Sequence, residues 1–285
     1  SQRRSQSAAR AQEGTRMNTA TPAPFAANGF DFTDSSVVIV GGTSGVGLAT
    51  ATAFAQTGCR RLLLLGRNEE RGKRALDHLA EAVPGGQADF LAVDACDPDA
   101  ATEAAAEAHR RLGRIDVLVN STAAPATPAL LHNQSASEIR DVLAQQTTAP
   151  LLMSRAVLPY MREQRSGSIV AIASDATKVP TPGETVLGAA MGAIVTYCRT
   201  LALEAKRNGV RVNVVTPSLI VDTGFFDRAM DDEFSKKIFE RAASQAHLGL
   251  TTPTDVANLV LFLASPLARL ITGQVVSVNG GISVA

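Results

Sequence analysis

The sequence has no tryptophan and only two tyrosines, so ten phenylalanines supply most of its small aromatic content. So few rings exclude the stacking platforms on which single-stranded nucleic acids are held. Cysteine is equally scarce, and Cys59, Cys96 and Cys198 stand far apart at no metal-ligand spacing. They outline neither a disulfide framework nor a zinc site; no metal is expected, and a reducing compartment, the cytoplasm, fits best. Net charge is also missing, with 27 basic residues balancing 27 acidic ones. Binding a polyanion needs a basic surplus or a basic face, so nucleic acid is not an expected partner. The apolar stretch from Leu259 to Ile271 is broken by Pro266 and Arg269 and is too short to span a bilayer, so no membrane is expected.

What is present is a chain of 285 residues, 45% hydrophobic and 19% charged, long enough for one large domain or two small ones. Residues 1–30 are rich in Ser, Ala, Gln, Arg and Thr, show no helical or strand period, and read as a flexible tail. Met17 is a candidate natural start, preceded by a segment with four Arg and one Glu. That segment fits either an organelle transit peptide or sequence upstream of the natural start.

From residue 31 to 285 short apolar runs alternate with longer helical patterns, as in a sheet buried on both faces by crossover helices. Strands are expected at Val37–Val40, Leu62–Leu65, Phe90–Val93, Val117–Val119, Ser168–Ala173, Val212–Val215 and Val275–Val278. Helices are expected to begin near Val46, Glu69, Ala101, Ala136, Glu184 and Thr254, with start signals at Asp97-Pro98 and Thr252-Pro253. This order predicts an α/β fold: a single domain with a doubly wound parallel sheet of about seven strands and helices on both faces. Only residues 223–250 interrupt the alternation, which makes them a candidate substrate lid.

The first strand runs directly into Gly41, Gly42, Thr43, Ser44, Gly45, Val46 and Gly47, and then into a helix. Glycines there permit positive φ and close backbone approach to a pyrophosphate, which sits on the positive end of the helix. About twenty residues further on, a dinucleotide fold places an acid for the free ribose of NAD. Here the second strand ends in Gly66, Arg67 and Asn68 without a carboxylate. Arg67 can fork onto a 2′-phosphate instead, so NADP(H) is favoured over NAD(H). The alternative is a solvated Arg opening a helix. Asp94 and Ala95, after the third strand, stand where an adenine amino group is met.

Over roughly Asp34 to the last residue, the sequence resembles the classical short-chain dehydrogenase/reductase family. The likeness rests on the spaced glycines, on Asp94, on IDVLVN ending in Asn120 and on GSIVAIAS ending in Ser174. It extends to RVN at Arg211–Asn213, DVANLVLFLAS and ITGQVVSVNGG. The resemblance implies a Rossmann-type fold and a nicotinamide cofactor held by Gly41, Thr43, Ser44, Gly45, Val46, Gly47, Arg67, Asp94, Ala95 and Asn120. After the sixth strand it adds Pro217, Ser218 and Ile220.

The departures fall on the chemistry. After Asn120 the chain reads Ser121, Thr122, Ala123 in place of the family's Asn, Ala, Gly, and Ser218 replaces the glycine after Pro217. Ser174 matches the family's serine, but the tyrosine position holds Leu187, the lysine position Met191 and the helix asparagine position Gln146. Reducing a carbonyl builds negative charge on oxygen, which an acid within hydrogen-bond reach must meet. Leucine and methionine cannot supply it.

Glu184, near the start of the same helix, is the substitute acid; its alternative is a carboxylate facing the helix dipole. Lys178 either reaches a substrate anion or is a solvated loop lysine. Tyr197 is nearly three helical turns past Leu187 and reads as packing. Of the four histidines only His132 falls in a loop after a strand end, where substrates gather; the alternative is a solvated histidine. Phe225, Phe226 and Phe239 either make the lid apolar or pack a helical core.

Three functions remain open. One is an atypical oxidoreductase working without the tyrosine–lysine relay on a small-molecule substrate. Another is a catalytically silent pseudoenzyme acting as scaffold or subunit. The third is a non-redox lyase, hydratase or isomerase reusing the pocket. The small residues Gly188, Ala189, Ala190, Gly192 and Ala193 along one helix, read with the resemblance, imply a homodimer or homotetramer, or a hetero-oligomer with an active relative. The alternative is packing against the chain's own sheet.

Overall fold

A computed structural model describes residues 30–285, so the expected tail lies, apart from Phe30, outside the described residues. The chain opens with β1 (Ser36–Val40), α1 (Gly45–Gln56), β2 (Arg61–Gly66), α2 (Glu69–Ala82), β3 (Asp89–Ala92), α3 (Pro98–Leu112) and β4 (Val117–Asn120). It continues with α4 (Ala136–Gln164), β5 (Gly167–Ile172), α5 (Thr185–Ala205) and β6 (Val210–Pro217). Two short helices follow, α6 (Gly224–Asp231) and α7 (Glu233–Ala243), then α8 (Pro253–Ala264) and β7 (Val275–Val278).

The strands form one parallel sheet in the order β3-β2-β1-β4-β5-β6-β7. Successive side chains of a strand point to opposite faces, so β1 divides its residues between two cores. Val38 and Val40 meet α3, α4 and α5 on one face, whereas Val37 and Ile39 meet α1, α2 and α8 on the other. Both faces being covered explains why the strands read as continuous apolar runs.

The expected strands are present, with ends shifted by two residues at most. The third helix starts at Pro98, ahead of the expected Ala101, because Asp97 accepts the Ala100 amide at 2.8 Å and Pro98 needs no partner for a missing N–H. α5 with its terminal turn, Thr185–Asn208, is a longer apolar stretch than 259–271 and could cross a bilayer by length and composition alone, as the core helix of a soluble protein also could. Val186, Ala190, Ile194 and Leu201 on this helix are buried, and it packs against α4 and β6.

α6 and α7 occupy the segment expected to be a lid and build a third, small core of their own. Leu219, Ala229 and Phe239 are buried there, and the Phe225 and Phe239 rings meet edge to face at 5.9 Å. The packing reading of these phenylalanines therefore holds. The segment is seated on the loop after β4: the Ser235 hydroxyl donates to the Pro128 carbonyl at 3.2 Å.

Candidate active site

In a doubly wound sheet ligands gather at the carboxyl ends of the strands, where the strand order reverses. That point here lies between β1 and β4. Gly41 has φ of +77°, and a Cβ on it would lie 2.6 Å from the Ser121 carbonyl oxygen, so the loops leaving the two strands touch only because residue 41 has no side chain. A Cβ on Gly47 would run into the Gly41 carbonyl, which brings α1 tight under the loop. Thr43 lies against Gly66 at the end of β2.

The N-terminus of α1 is left open. Its cap residue Ser44 is exposed and makes no side-chain capping bond, and the first turn carries no acid. Unsatisfied N–H groups and the positive end of the dipole then face solvent, as an anion site requires. Two buried polar atoms beside the loop, Asn120 Oδ1 and Thr122 Oγ1, also have no hydrogen-bond partner among the described residues. A dinucleotide fits this set: phosphates on the Ser44–Gly47 amides, and its hydroxyls or amide meeting the orphaned oxygens.

The remaining cofactor candidates lie at the same sheet edge. Arg67 is exposed at the end of β2 and has no hydrogen bond or ion pair among the described residues. Asp94 accepts the Cys96 amide at 3.0 Å, while Ala95 is buried in the core beneath it. Asn120 donates to the Ser154 hydroxyl at 3.0 Å. Val46 is buried under the loop. Pro217 ends β6, Ser218 turns into a neighbouring cavity, and Ile220 bridges to Thr251. Sequence reasoning missed Thr223, whose methyl lies within 3.7 Å of a Cβ built on Gly45 and whose hydroxyl accepts the Phe226 amide to cap α6. The Thr223-Gly224 pair was its only sequence signal.

A cavity of about 80 Å³ lies beside the end of β5. Ser174 and Glu184 both line it, with Val179, Ile238 and Phe239 as apolar walls. Ser174 Oγ accepts the Ala176 amide at 3.2 Å, which fixes the oxygen and leaves the hydroxyl proton to donate. Glu184 holds the cap position of α5, at the helix start, and its side chain makes no capping bond. Burial pushes its carboxyl above the usual carboxylate range, against a smaller lowering by the Thr181 hydroxyl.

Leu187 is 8% exposed, and Met191 packs against the core. Gln146 is buried and serves a structural role, in which Oε1 accepts the Ala124 amide at 2.8 Å and Nε2 donates to the Thr122 carbonyl at 3.3 Å. It clamps the loop after β4 that faces the cofactor crevice. Truncation to Ala would leave a buried amide and carbonyl unpaired; Gln146→Ala should cost about 1–3 kcal/mol in denaturant unfolding.

Lys178 is neither a substrate contact nor solvated. Its ammonium donates to the Val275 carbonyl at 3.1 Å and the Ser277 hydroxyl at 2.7 Å. Tyr197 donates to the Leu151 carbonyl at 3.1 Å, and burial pushes its phenol up to about 12, so packing is its role. His132 is exposed and does not line the cavity. Of the small residues of α5, Gly188 approaches the Ala176 carbonyl and Ala190 is buried in the chain's own core, whereas Ala189 and Ala193 are exposed. The Arg211 guanidinium donates to the Leu263 and Ala264 carbonyls at 2.5 and 3.0 Å, holding the end of α8 on β6.

An α/β crevice with an open helix N-terminus and a covered pocket holding a serine and an acid defines a dinucleotide-binding protein of the doubly wound class. The family profile described as Enoyl-(Acyl carrier protein) reductase matches residues 40–283. The chain belongs to the short-chain dehydrogenase/reductase family of oxidoreductases. It is 32% identical over 246 residues to the 3-oxoacyl-(acyl-carrier-protein) reductase FabG of Thermotoga maritima, covering 86% of this chain and 96% of that one. It is 33% identical over 274 residues to the short-chain dehydrogenase srdC of Neurospora crassa, covering 90% and 98%. Among solved structures, a single-residue variant of actinorhodin polyketide ketoreductase with NADPH superposes at a TM-score of 0.80 with 28% identity, covering 89% of this chain and 99% of that one.

Proposed function

We propose that this protein is an NADP(H)-dependent oxidoreductase interconverting a ketone and an alcohol, with Glu184 as the acid in place of the tyrosine. The observation that carries this reading is the uncapped Glu184 carboxyl, desolvated in the same cavity as Ser174. A bound nicotinamide would supply the hydride to the carbonyl carbon.

The chain's own residues do the rest. The Ser174 hydroxyl donates to the carbonyl oxygen and orients it. As negative charge grows there, the Glu184 O–H bond breaks and its proton goes to that oxygen, giving the alcohol; the carboxylate regains a proton from solvent. Ile238 and Phe239 exclude water above the reacting atoms, strengthening both interactions. In the oxidation direction the Glu184 carboxylate takes the alcohol proton.

Arg67 and the NADPH-bound ketoreductase relative support NADP(H). Arg67→Ala should raise the KM for NADPH about 10- to 100-fold and leave that for NADH unchanged, measured in parallel steady-state titrations. The exposed Ala189 and Ala193 on α5 support a homodimer or homotetramer, or pairing with an active relative. The scarce, unpaired cysteines support a cytoplasmic setting.

The direct test mixes the full-length protein with NADPH and a ketone panel and follows loss of reduced-nicotinamide absorbance. Oxidation above the enzyme-free background, abolished by substituting Glu184, is the expected result. A background rate with every ketone overturns the reading and favours the silent subunit, to which the buried Leu187 and the loop-clamping Gln146 would then belong.

A further inference from the structure

After β7 the chain turns back and enters the cavity wall. Gly280 and Gly281 have φ of +64° and +89°, and a Cβ on Gly280 would run into the Gly249 carbonyl, so the turn closes only with glycine there. It delivers Ile282 and Ser283 to the cavity that Ser174 and Glu184 also line. Ile282 packs at the same time against the small core of α6 and α7.

One buried side chain holds this segment. Asp175, 4% exposed, directly follows Ser174 in the chain. Its Oδ2 accepts the Asn279 amide at 2.5 Å and the Ser283 hydroxyl at 3.1 Å, and its Oδ1 accepts the Ser277 hydroxyl at 2.8 Å. Lys178, 4.0 Å away, balances its charge while donating to Ser277 and to the Val275 carbonyl on β7. Asn279 ties the turn to itself: its amide donates to the Ser283 carbonyl at 3.1 Å and its Oδ1 accepts the Gly281 amide at 3.0 Å. Such a network is stiff, because opening any of its bonds leaves a buried polar group without a partner. The residue beside the serine and the wall carried by Ile282 are therefore fixed to one another through Asp175. Val284 is fully exposed, so the latch reaches no further than Ser283.

We propose that Ile282 is a specificity-determining residue that limits the size of ketone the cavity admits, and that Asp175 is the positioning residue that holds it there. The inference rests on the ketone-reductase reading for the nature of the substrate. A wall held by a fully paired network does not swing aside for a bulkier compound, and each methylene that an apolar pocket cannot hold costs about 10- to 200-fold.

The experiment measures, by ligand-observed NMR, binding of cyclohexanone and of 4-tert-butylcyclohexanone to the NADPH-loaded full-length protein, and follows NADPH consumption in the same samples. The two ketones differ only at the end of the ring remote from the carbonyl. The wild-type protein should bind cyclohexanone about 10- to 100-fold more tightly. Ile282→Ala should narrow that ratio about 10-fold and Ile282→Val by less, with melting curves verifying that the variants fold. Asp175→Asn should narrow it in the same direction while leaving NADPH affinity unchanged, which a general loss of stability would not do; Ser283→Ala, which removes one arm of the latch, should have a smaller effect of the same sign. Adding Asn279→Asp to Asp175→Asn exchanges donor and acceptor across the pair and should restore the wild-type ratio. Equal or tighter binding of the bulkier ketone by the wild-type protein overturns the inference, as does a ratio unmoved in both Ile282 variants. A ratio unmoved by Asp175→Asn and Ser283→Ala, or not restored by the exchange, overturns the part given to Asp175. Failure of both ketones to bind overturns the inference together with the reading beneath it. Selective binding of cyclohexanone without NADPH consumption upholds the size limit and overturns the redox reading alone.

Discussion

Glu184→Gln should lower kcat for ketone reduction by about 10²- to 10⁴-fold while KM changes little, because the amide keeps the size of the side chain but offers no transferable proton of comparable acidity. The pH dependence separates this from a packing defect. Burial raises the Glu184 pKa, and the acid form is the donor, so the wild-type reduction rate should fall as pH rises through that raised value. The Gln variant should lack this limb. Stability carries the same sign: a carboxyl with a raised folded-state pKa favours folding below its unfolded pKa and loses that contribution as pH rises through the folded one. In denaturant melts at increasing pH, the Gln variant should therefore gain on the wild-type protein. A variant with unchanged kcat, or one that keeps the wild-type pH limb, removes Glu184 from the reaction.

Gly47→Ala should abolish NADPH binding in a calorimetric titration and destabilise the fold by about 1–3 kcal/mol. The added methyl would press on the Gly41 carbonyl and the adjoining backbone of Gly42, not on a side chain that could rotate away. Overpacking a rigid contact forces backbone shifts, and here the shift would open the turn from β1 to α1. The open N-terminus of α1 would lose its alignment with the loop. An Ala variant that binds NADPH with wild-type affinity would show that the cradle tolerates a wider turn than its geometry implies.

The sheet was legible in the sequence because strands buried on both faces cannot hide their apolar runs, and each run is local. The cofactor loop was legible for a related reason, since the geometry of a tight turn before a helix demands glycine at nearby positions. Pairings across long separations were not. Gln146 occupies the position of the family's helix asparagine, yet its partners are backbone groups of Thr122 and Ala124, 24 and 22 residues earlier, and no local pattern encodes that clamp. Lys178 reads as solvated because lysines usually are, but its acceptors lie 97 and 99 residues further along. Asp175 went unread for the same reason, its partners being on the segment from Ser277 to Ser283. Proline signals were ambiguous as well: Pro98 starts α3, whereas Pro150 and Pro159 lie inside α4 without ending it.

The small core of α6 and α7 stands apart from the two large cores that flank the sheet. Its packing is separate from the contacts that set strand register, so side chains within it can be exchanged while the two large cores stay as they are. A laboratory library confined to Phe225–Ala243 would exploit the same separation.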